Sequence, residues 1–576
     1  MAISASGYTL NHNLPTGTRQ TFALSAVGTT LRLTVTGEPA TLTWTGATSA
    51  NWDTTTANNW TGAVPNTFGS NDAVLIDDSS SVTSIALPSP VTPRSTLVNN
   101  STRAFTIAGG LNGGSLTKSG TNTLTLGGTN TFGGGLTLNA GSIVLANEAA
   151  NADGLGTGVV TVNSGTISMR DDYATYNNFN ANLVVPTAAT ARLNADGRVD
   201  MFGTLNGAGV LNFYVPWVRT TLFTDWSGFT GTINVITDAD GGDFRMGTNY
   251  GFPGFPNAAL ALSDKVYAYY TGTLSSGAGT IIDLGEVSGT SQSHLRGGAT
   301  GGRALTYRIG GRNTNATFAG TIEEQNTGTL TNIVKLGTGT WTLTGNSAWA
   351  GGTSVNEGAL AISGNIASTG AVTVASGAAL SLSNGGIATD SVTVANGAAF
   401  SGNGAVLADL ICGGTFTGRG FSTGTSGTLA ISGGAFFDTT SLTRLRGGVS
   451  SDLLAVSGDL SLAGTVQISL SAGTAFGRYP LFTYGGSLAM EAVALTGIPV
   501  GTTAKLSTSV AGQVALVIDD SDEDGLPDSW ETANFGNLAK GPDDDPDGDG
   551  QSNAMEYLAG TLPNSGASRF AATMVP

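Results

Sequence analysis

The chain has 576 residues, of which 86 are glycine and 11% are charged, and its net charge is −17 with a pI near 4.4. That balance excludes a nucleic-acid binder, which needs a basic patch, and it excludes docking on anionic lipid. No apolar run exceeds five residues, so membrane insertion through a helix is excluded as well.

Met1–Ala5 shows no basic n-region and no long apolar stretch. A signal peptide is therefore expected to have been removed and a Met added. Trp44, Trp52 and Trp60 follow at intervals of eight. They predict the core of an N-terminal β cap over residues 1–94, since the open end of a stacked-strand body needs covering. Their other reading is a set of sugar-stacking rings.

Residues 95–518 form a long Gly- and Thr-rich body. KSGTNTLTLGGTNTFGGGLTLNAGSIVLAN, from Lys118, recurs without a gap as KLGTGTWTLTGNSAWAGGTSVNEGALAISG, from Lys335, with 11 identities in 30 at an offset of 217. Leu124, Phe132, Leu138 and Ile143 face Trp341, Trp349, Val355 and Leu360. The alternation in TLTL, LTLN and SIVLA is that of half-buried strands, and Gly and Asn between them supply tight corners. A shorter repeat, VTVASGAAL at Val372 and VTVANGAAF at Val392, has a period of 20. That period fits one coil of a parallel β-helix. The fold class expected is all-β: a right-handed parallel β-helix with an N-terminal cap and a small C-terminal calcium-loop module. The single Cys412 reads as a buried small hydrophobe.

The segments 118–147 and 335–364 resemble the autotransporter-associated β-strand repeat, also called the passenger-associated transport repeat. Phe416–Gly434 and Thr43–Trp60 are similar to other stretches of such proteins. The resemblance implies a bacterial β-helix that is secreted or displayed on the cell surface. Self-secreting members end in a membrane barrel, and the 58 residues after Ile518, an acid-rich segment, do not read as one.

Within residues 519–576, the stretch from Asp519 to Glu556 holds 13 acidic residues and one basic residue, Lys540. DSDEDGLPDSWE, from Asp520, fits the calcium-loop pattern D-x-[DN]-x-[DN]-G-x5-E at every position. Asp520, Asp522, Asp524, the Leu526 carbonyl, Asp528 and Glu531 are the expected ligands. DPDGDGQSNAME repeats the pattern with Asp545, Asp547, Asp549, the Gln551 carbonyl, Asn553 and Glu556. Ca²⁺ takes six to eight oxygens, and each loop offers carboxylates plus a carbonyl. Short helices are expected around 529–534 and 553–558, with Trp530, Phe535, Tyr557 and Leu558 packing the loops together. The segment resembles bacterial calcium modules related to thrombospondin type 3 and dockerin repeats.

Only His12 and His294 are present, so a Ser-His-Asp triad or a multi-histidine zinc site has little support. The best carboxylate group in the body is Asp238-Ala-Asp240-Gly-Gly-Asp243 with Arg245, readable as a lyase-like or calcium site or as an acidic turn. Asp171-Asp172 and Glu323-Glu324, if on strands, point to opposite faces. Residues 175–330 are richer in aromatics (Tyr214, Trp217, Trp226, Tyr250, Tyr269) and are the expected place for a binding groove.

The function expected is a non-catalytic structural or adhesive β-helix, extracellular or on the cell surface, anchored or stabilised by a calcium module. Surface polysaccharide and self-association into filaments are its expected partners. The second reading is a polysaccharide-binding or polysaccharide-degrading β-helix.

Overall fold

A computed structural model of the chain describes residues 17–572, apart from 57, 147–153, 170–176, 196–198, 217–219, 223, 248–251, 273–278 and 299–303. Met1–Ala5, His12, Asp171, Asp172, Trp217 and Tyr250 lie outside the described residues. The fold is an all-β parallel solenoid in two compact units, Met1–Thr331 and Asn332–Pro576.

In the first unit, Thr41–Trp44, Ala73–Asp77, Ser95–Asn99, Ser115–Ser119, Leu136–Leu138, Val160–Val162, Leu183–Val185 and Leu205–Gly207 form one parallel ladder. A second ladder stacks Leu124, Ile143, Ile167, Leu193, Phe213, Val235 and Leu262 in register. A third begins at Asn177–Phe179 and runs to Thr321–Glu323. Successive coils therefore take between 19 and 27 residues, judged by those stacked side chains. Strand residues alternate between inside and outside, and the inside positions are buried aliphatics and aromatics.

The ladder starts at Thr41, within the segment read as a cap. Trp60–Thr61 pairs antiparallel with Thr41–Trp44. Trp44, Trp52 and Trp60 are fully buried and meet edge-on, with Trp44–Trp60 centroids 5.0 Å apart and Trp52–Trp60 5.3 Å. All three are core of the first coils, so none is free to stack on a sugar. A separate antiparallel hairpin, Thr21–Val27 with Thr30–Thr36, precedes them.

The second unit has three faces. Val372 pairs with Val392 and Leu380 with Phe400, so the 20-residue repeat is one full coil. The antiparallel strands Gly477–Tyr484, Gln513–Ile518 and Ala504–Ser507 follow the last parallel coils. Cys412 is buried, and burial pushes its thiol up to about 12.

The two 30-residue repeats share a feature that composition hides. Lys118 and Lys335 are both buried. The Lys118 ammonium donates to the carbonyls of Ser119 (2.8 Å), Gly120 (2.7 Å) and Ala140 (3.3 Å). Lys335 donates to Leu336 (2.6 Å), Gly337 (2.8 Å) and Glu357 (3.3 Å). Each lysine thus ties its own corner to the next coil. Burial pushes both ammonium groups down to about 8, against the pull of Asp78 and Glu357.

The sequence reading of Phe416–Gly434 did not include a helix. Arg419–Thr423 is a one-turn helix inserted in the coil. Buried Asp452 explains it: its carboxylate accepts from the N–H groups of Gly420 (2.7 Å), Phe421 (3.0 Å), Gly427 (3.0 Å) and Arg446 (2.9 Å). Asp452→Ala is expected to leave four buried donors unmatched and to cost about 2–4 kcal/mol. Denaturant unfolding followed at the Arg419–Asp452 segment by hydrogen exchange checks this, and unchanged protection would refute it.

Candidate metal centre

The first loop lies between the final strand, Gln513–Ile518, and the helix Asp528–Phe535. Asp519 ends the strand at φ 55° and receives the Ser529 N–H (3.0 Å) and hydroxyl (2.6 Å) at the helix start. Gly525 holds φ 94° at the sixth loop position, and Gly550 holds φ 90° at the same position of the second loop. The fourth positions, Glu523 and Gly548, also share positive φ (61° and 72°). The second helix, Asn553–Ala559, follows the second loop. Both helices thus fall where the sequence put them.

Carboxylate oxygens of Asp520, Asp522 and Asp524 lie within 4.8 Å of one another, as do those of Asp522, Asp528 and Glu531. In the second loop Asp545, Asp547 and Asp549 gather in the same way. Glu531, Asn553 and Glu556 are buried. Both Glu531 carboxylate oxygens, Asp520 Oδ1, Asp547 Oδ2, Asp549 Oδ2, Asn553 Oδ1 and Glu556 Oε2 are buried without a hydrogen-bond partner. So many acceptors facing inward with no donor is a costly arrangement unless a cation satisfies them. The residues therefore fit a hard, oxygen-seeking divalent ion at each loop.

The remaining bonds orient these ligands. Asp545 accepts from Gly548 N–H (2.9 Å) and Gly550 N–H (2.8 Å), and Asp524 from Leu526 N–H (2.9 Å). Asp528 accepts from Ser521 N–H (2.7 Å) and the Thr503 hydroxyl (2.9 Å), so at the ninth position it also braces the loop. The Gln551 amide is spent on the Phe570 backbone, which leaves its carbonyl as the group at position seven. Glu556 stands outside the Asp545 triad and accepts from the Thr561 hydroxyl at 3.3 Å. Burial, then the charges of Asp524, Asp522, Asp528 and Asp520, push the Glu531 carboxyl up to about 7. Burial raises Asp520, Asp524 and Glu556 also.

Glu523 does the opposite work. Its side chain leaves the loop and meets Lys505 (2.8 Å), Arg478 (3.1 Å) and the Ser507 hydroxyl (2.6 Å) on the antiparallel strands. The Lys505 and Ser507 bonds hold its carboxyl down at about 2. Trp530 packs on Phe535 (5.8 Å) and Tyr557 (5.7 Å), and Tyr557 on Phe476 of the body (6.1 Å). Leu558, read from sequence as part of that cluster, is 84% exposed. Glu523→Ala is expected to keep the metal stoichiometry of the full chain while loosening the loop from the strands. Isothermal titration should still count two sites, and proteolysis between Ile518 and Asp528 should speed up. A lost site would mean that Glu523 is itself a ligand.

The body shows no comparable centre among the described residues. Asp238 and Asp240 sit in an exposed turn, whereas Asp243 is on a strand, paired with Arg245 (2.8 Å). The metal-site reading of that stretch is therefore not supported by its geometry. Glu323 and Glu324 diverge as expected: Glu323 meets Arg296 (2.6 Å), and Glu324 accepts from the Thr329 and Thr331 hydroxyls (2.6 Å each). His294 is on the strand His294–Arg296, with its side chain partly exposed.

Comparison with known proteins gives the class. The passenger-associated-transport-repeat family model matches residues 116–145 and 333–362, the two segments that carry the buried lysines. The chain is a parallel β-solenoid bearing two such repeats. Over 320 residues it is 29% identical to the adhesin BmaC autotransporter of Brucella suis biovar 1 (strain 1330), an alignment covering 44% of this chain and 9% of that protein. The chain thus spans about a tenth of the length of the curated relative it matches.

Proposed function

We propose that this protein is a non-catalytic bacterial cell-surface solenoid of the adhesin type, whose C-terminal module holds two calcium ions. The observation that carries the surface reading is the pair of passenger repeats, each built into coils and latched by a buried lysine, together with the similarity to an adhesin autotransporter. The inward-facing, unpartnered carboxylates support calcium. Asp520, Asp522, Asp524, the Leu526 carbonyl, Asp528 and Glu531 would hold one ion. Asp545, Asp547, Asp549, the Gln551 carbonyl, Asn553 and Glu556 would hold the other. The ions would neutralise each loop and lock the helices against the antiparallel strands; extracellular calcium is concentrated enough for weak sites to fill.

Beads coated with the full chain test the function. Attachment to host-cell and polysaccharide-coated surfaces in calcium, above that of uncoated beads, is the expected result. Failure to attach to any surface, or release of oligosaccharides from a polysaccharide panel, would overturn it.

A further inference from the structure

Outward positions of this solenoid carry mostly small uncharged residues. Thr106, Thr125, Val144, Ser168 and Asn194 form one outward column, and Thr117, Thr137, Thr161 and Val184 another. The third ladder of the first unit departs from this over four consecutive strands: Gly242–Met246, Val266–Tyr270, His294–Arg296 and Thr321–Glu323. Its inward column is ordinary, with Phe244, Ala268, Leu295 and Ile322 stacked in register and buried. Its two outward columns by register are Asp243–Tyr267–His294–Thr321 and Arg245–Tyr269–Arg296–Glu323, of which Tyr269 is buried.

These side chains form two neighbouring clusters on one face. Tyr269 donates to Asp243 Oδ2 (2.7 Å), which also takes Arg245 Nη2 (2.8 Å). Tyr267 stacks on His294 at 4.6 Å, and the Arg296 guanidinium lies over Tyr267 at 4.0 Å. His294 Nδ1 (3.0 Å) and Arg296 Nε (2.6 Å) both donate to one oxygen of Glu323. Each carboxylate thus concentrates these bonds on one oxygen. The strip presents further donors and acceptors in alternation, at the spacing of about 4.8 Å set by the strands.

Three chemistries are poor matches. A phosphate- or sulfate-bearing ligand would compete with the carboxylate already paired to each arginine. A protein partner wants an apolar, charge-poor centre, and this face carries Asp243, Arg245, Arg296 and Glu323. Hydrolysis needs two carboxyls about 5–9.5 Å apart, whereas Asp243 and Glu323 are three strands apart, about 14 Å. A neutral polyhydroxylated chain matches: its hydroxyls both donate and accept, so each can meet a carboxylate or a guanidinium of the strip.

We propose that the outward face formed by Asp243, Arg245, Tyr267, His294, Arg296 and Glu323 binds a neutral polysaccharide running across the strands, without cleaving it. The proposal supplies a ligand class for the adhesin reading and rests on it. The full chain would be titrated calorimetrically with cellohexaose, xylohexaose, mannohexaose and maltohexaose, with polygalacturonate and heparin as acidic comparators. At least one neutral hexasaccharide is expected to bind, with little salt dependence. Tyr267→Ala and the isosteric Glu323→Gln should each weaken it tenfold or more, and Arg308→Met, on another ladder, should not. Melting curves accompany each variant, and Glu323→Gln keeps the test decisive should Tyr267→Ala fail to fold. No neutral binding at millimolar sugar, equal affinity in folded Glu323→Gln, or a preference for the acidic chains would overturn the proposal. If those results came with wild-type bead attachment intact, the strip assignment would fall and the adhesin reading would stand; loss of attachment by wild type would sink the latter.

Discussion

Glu531→Gln is expected to change the stability of the acidic module in opposite directions with and without calcium. In chelator, both Glu531 oxygens are buried without a donor among the charges of Asp520, Asp522, Asp524 and Asp528. Gln keeps the shape and removes a charge that is only partly present at neutral pH, so the metal-free module should gain about 1 kcal/mol, less than the calcium stabilisation lost below. In calcium the same change removes the bidentate ligand at position twelve, and the first site should be lost. A site with Kd near 10⁻⁵–10⁻⁴ M contributes about 2–3 kcal/mol at 2 mM calcium, and that is the expected loss. Trp530, packed between Phe535 and Tyr557, is a reporter inside the module. Its fluorescence should place the variant's melting above wild type in chelator and below it in calcium, with titration counting one site in place of two. Melting curves of wild type that superimpose with and without calcium would remove the metal from the account altogether.

The legibility of this chain follows the range of the interactions involved. The two acidic loops and the helices after them were readable because every residue of each loop pattern lies within twelve consecutive residues and the turn glycines sit among them. The coil was readable where its length is constant, as between Val372 and Val392. Elsewhere coils run from 19 to 27 residues, so sequence offers no phase by which to place Arg245 over Tyr269 or Tyr267 over His294. The short stretch Asp238–Asp243 drew notice for its acids, yet only Asp243 joins the strip, and its partners are 26 residues away in Tyr269 and two away in Arg245. The three tryptophans 44, 52 and 60 were legible as core and not as belonging to coils, because the antiparallel return at Trp60 breaks the repeat. Leu558 misled for a simpler reason: an apolar residue beside Tyr557 on a two-turn helix faces away from it.

The lysines were the least legible feature and carry the other large expected effect. A lysine in a Gly-Thr turn reads as solvated, and only the folded chain shows Lys335 among three carbonyls. Lys335→Met keeps most of the volume and leaves the carbonyls of Leu336, Gly337 and Glu357 without a donor, at an expected cost of about 3–5 kcal/mol to those coils. Because a solenoid's coils are stabilised by their neighbours, the loss should appear as early local melting around 335–362 rather than a uniform shift. Lys118→Met should do the same in the first unit, and the two losses should add. The sign of the pH dependence follows from the direction of the shift. The folded ammonium titrates at about 8, below its ordinary value of 10.5. Between those values the unfolded chain holds more protons, so this lysine's contribution to stability rises with pH across that window and is smallest below it. Wild type should therefore gain on Lys335→Met between pH 8 and 10, read by hydrogen exchange at Ala359–Ile362. A gap that narrows with pH would show that the folded ammonium titrates above 10.5 rather than near 8, and a variant as protected as wild type at pH 7 would show that the buried ammonium does not latch the coils.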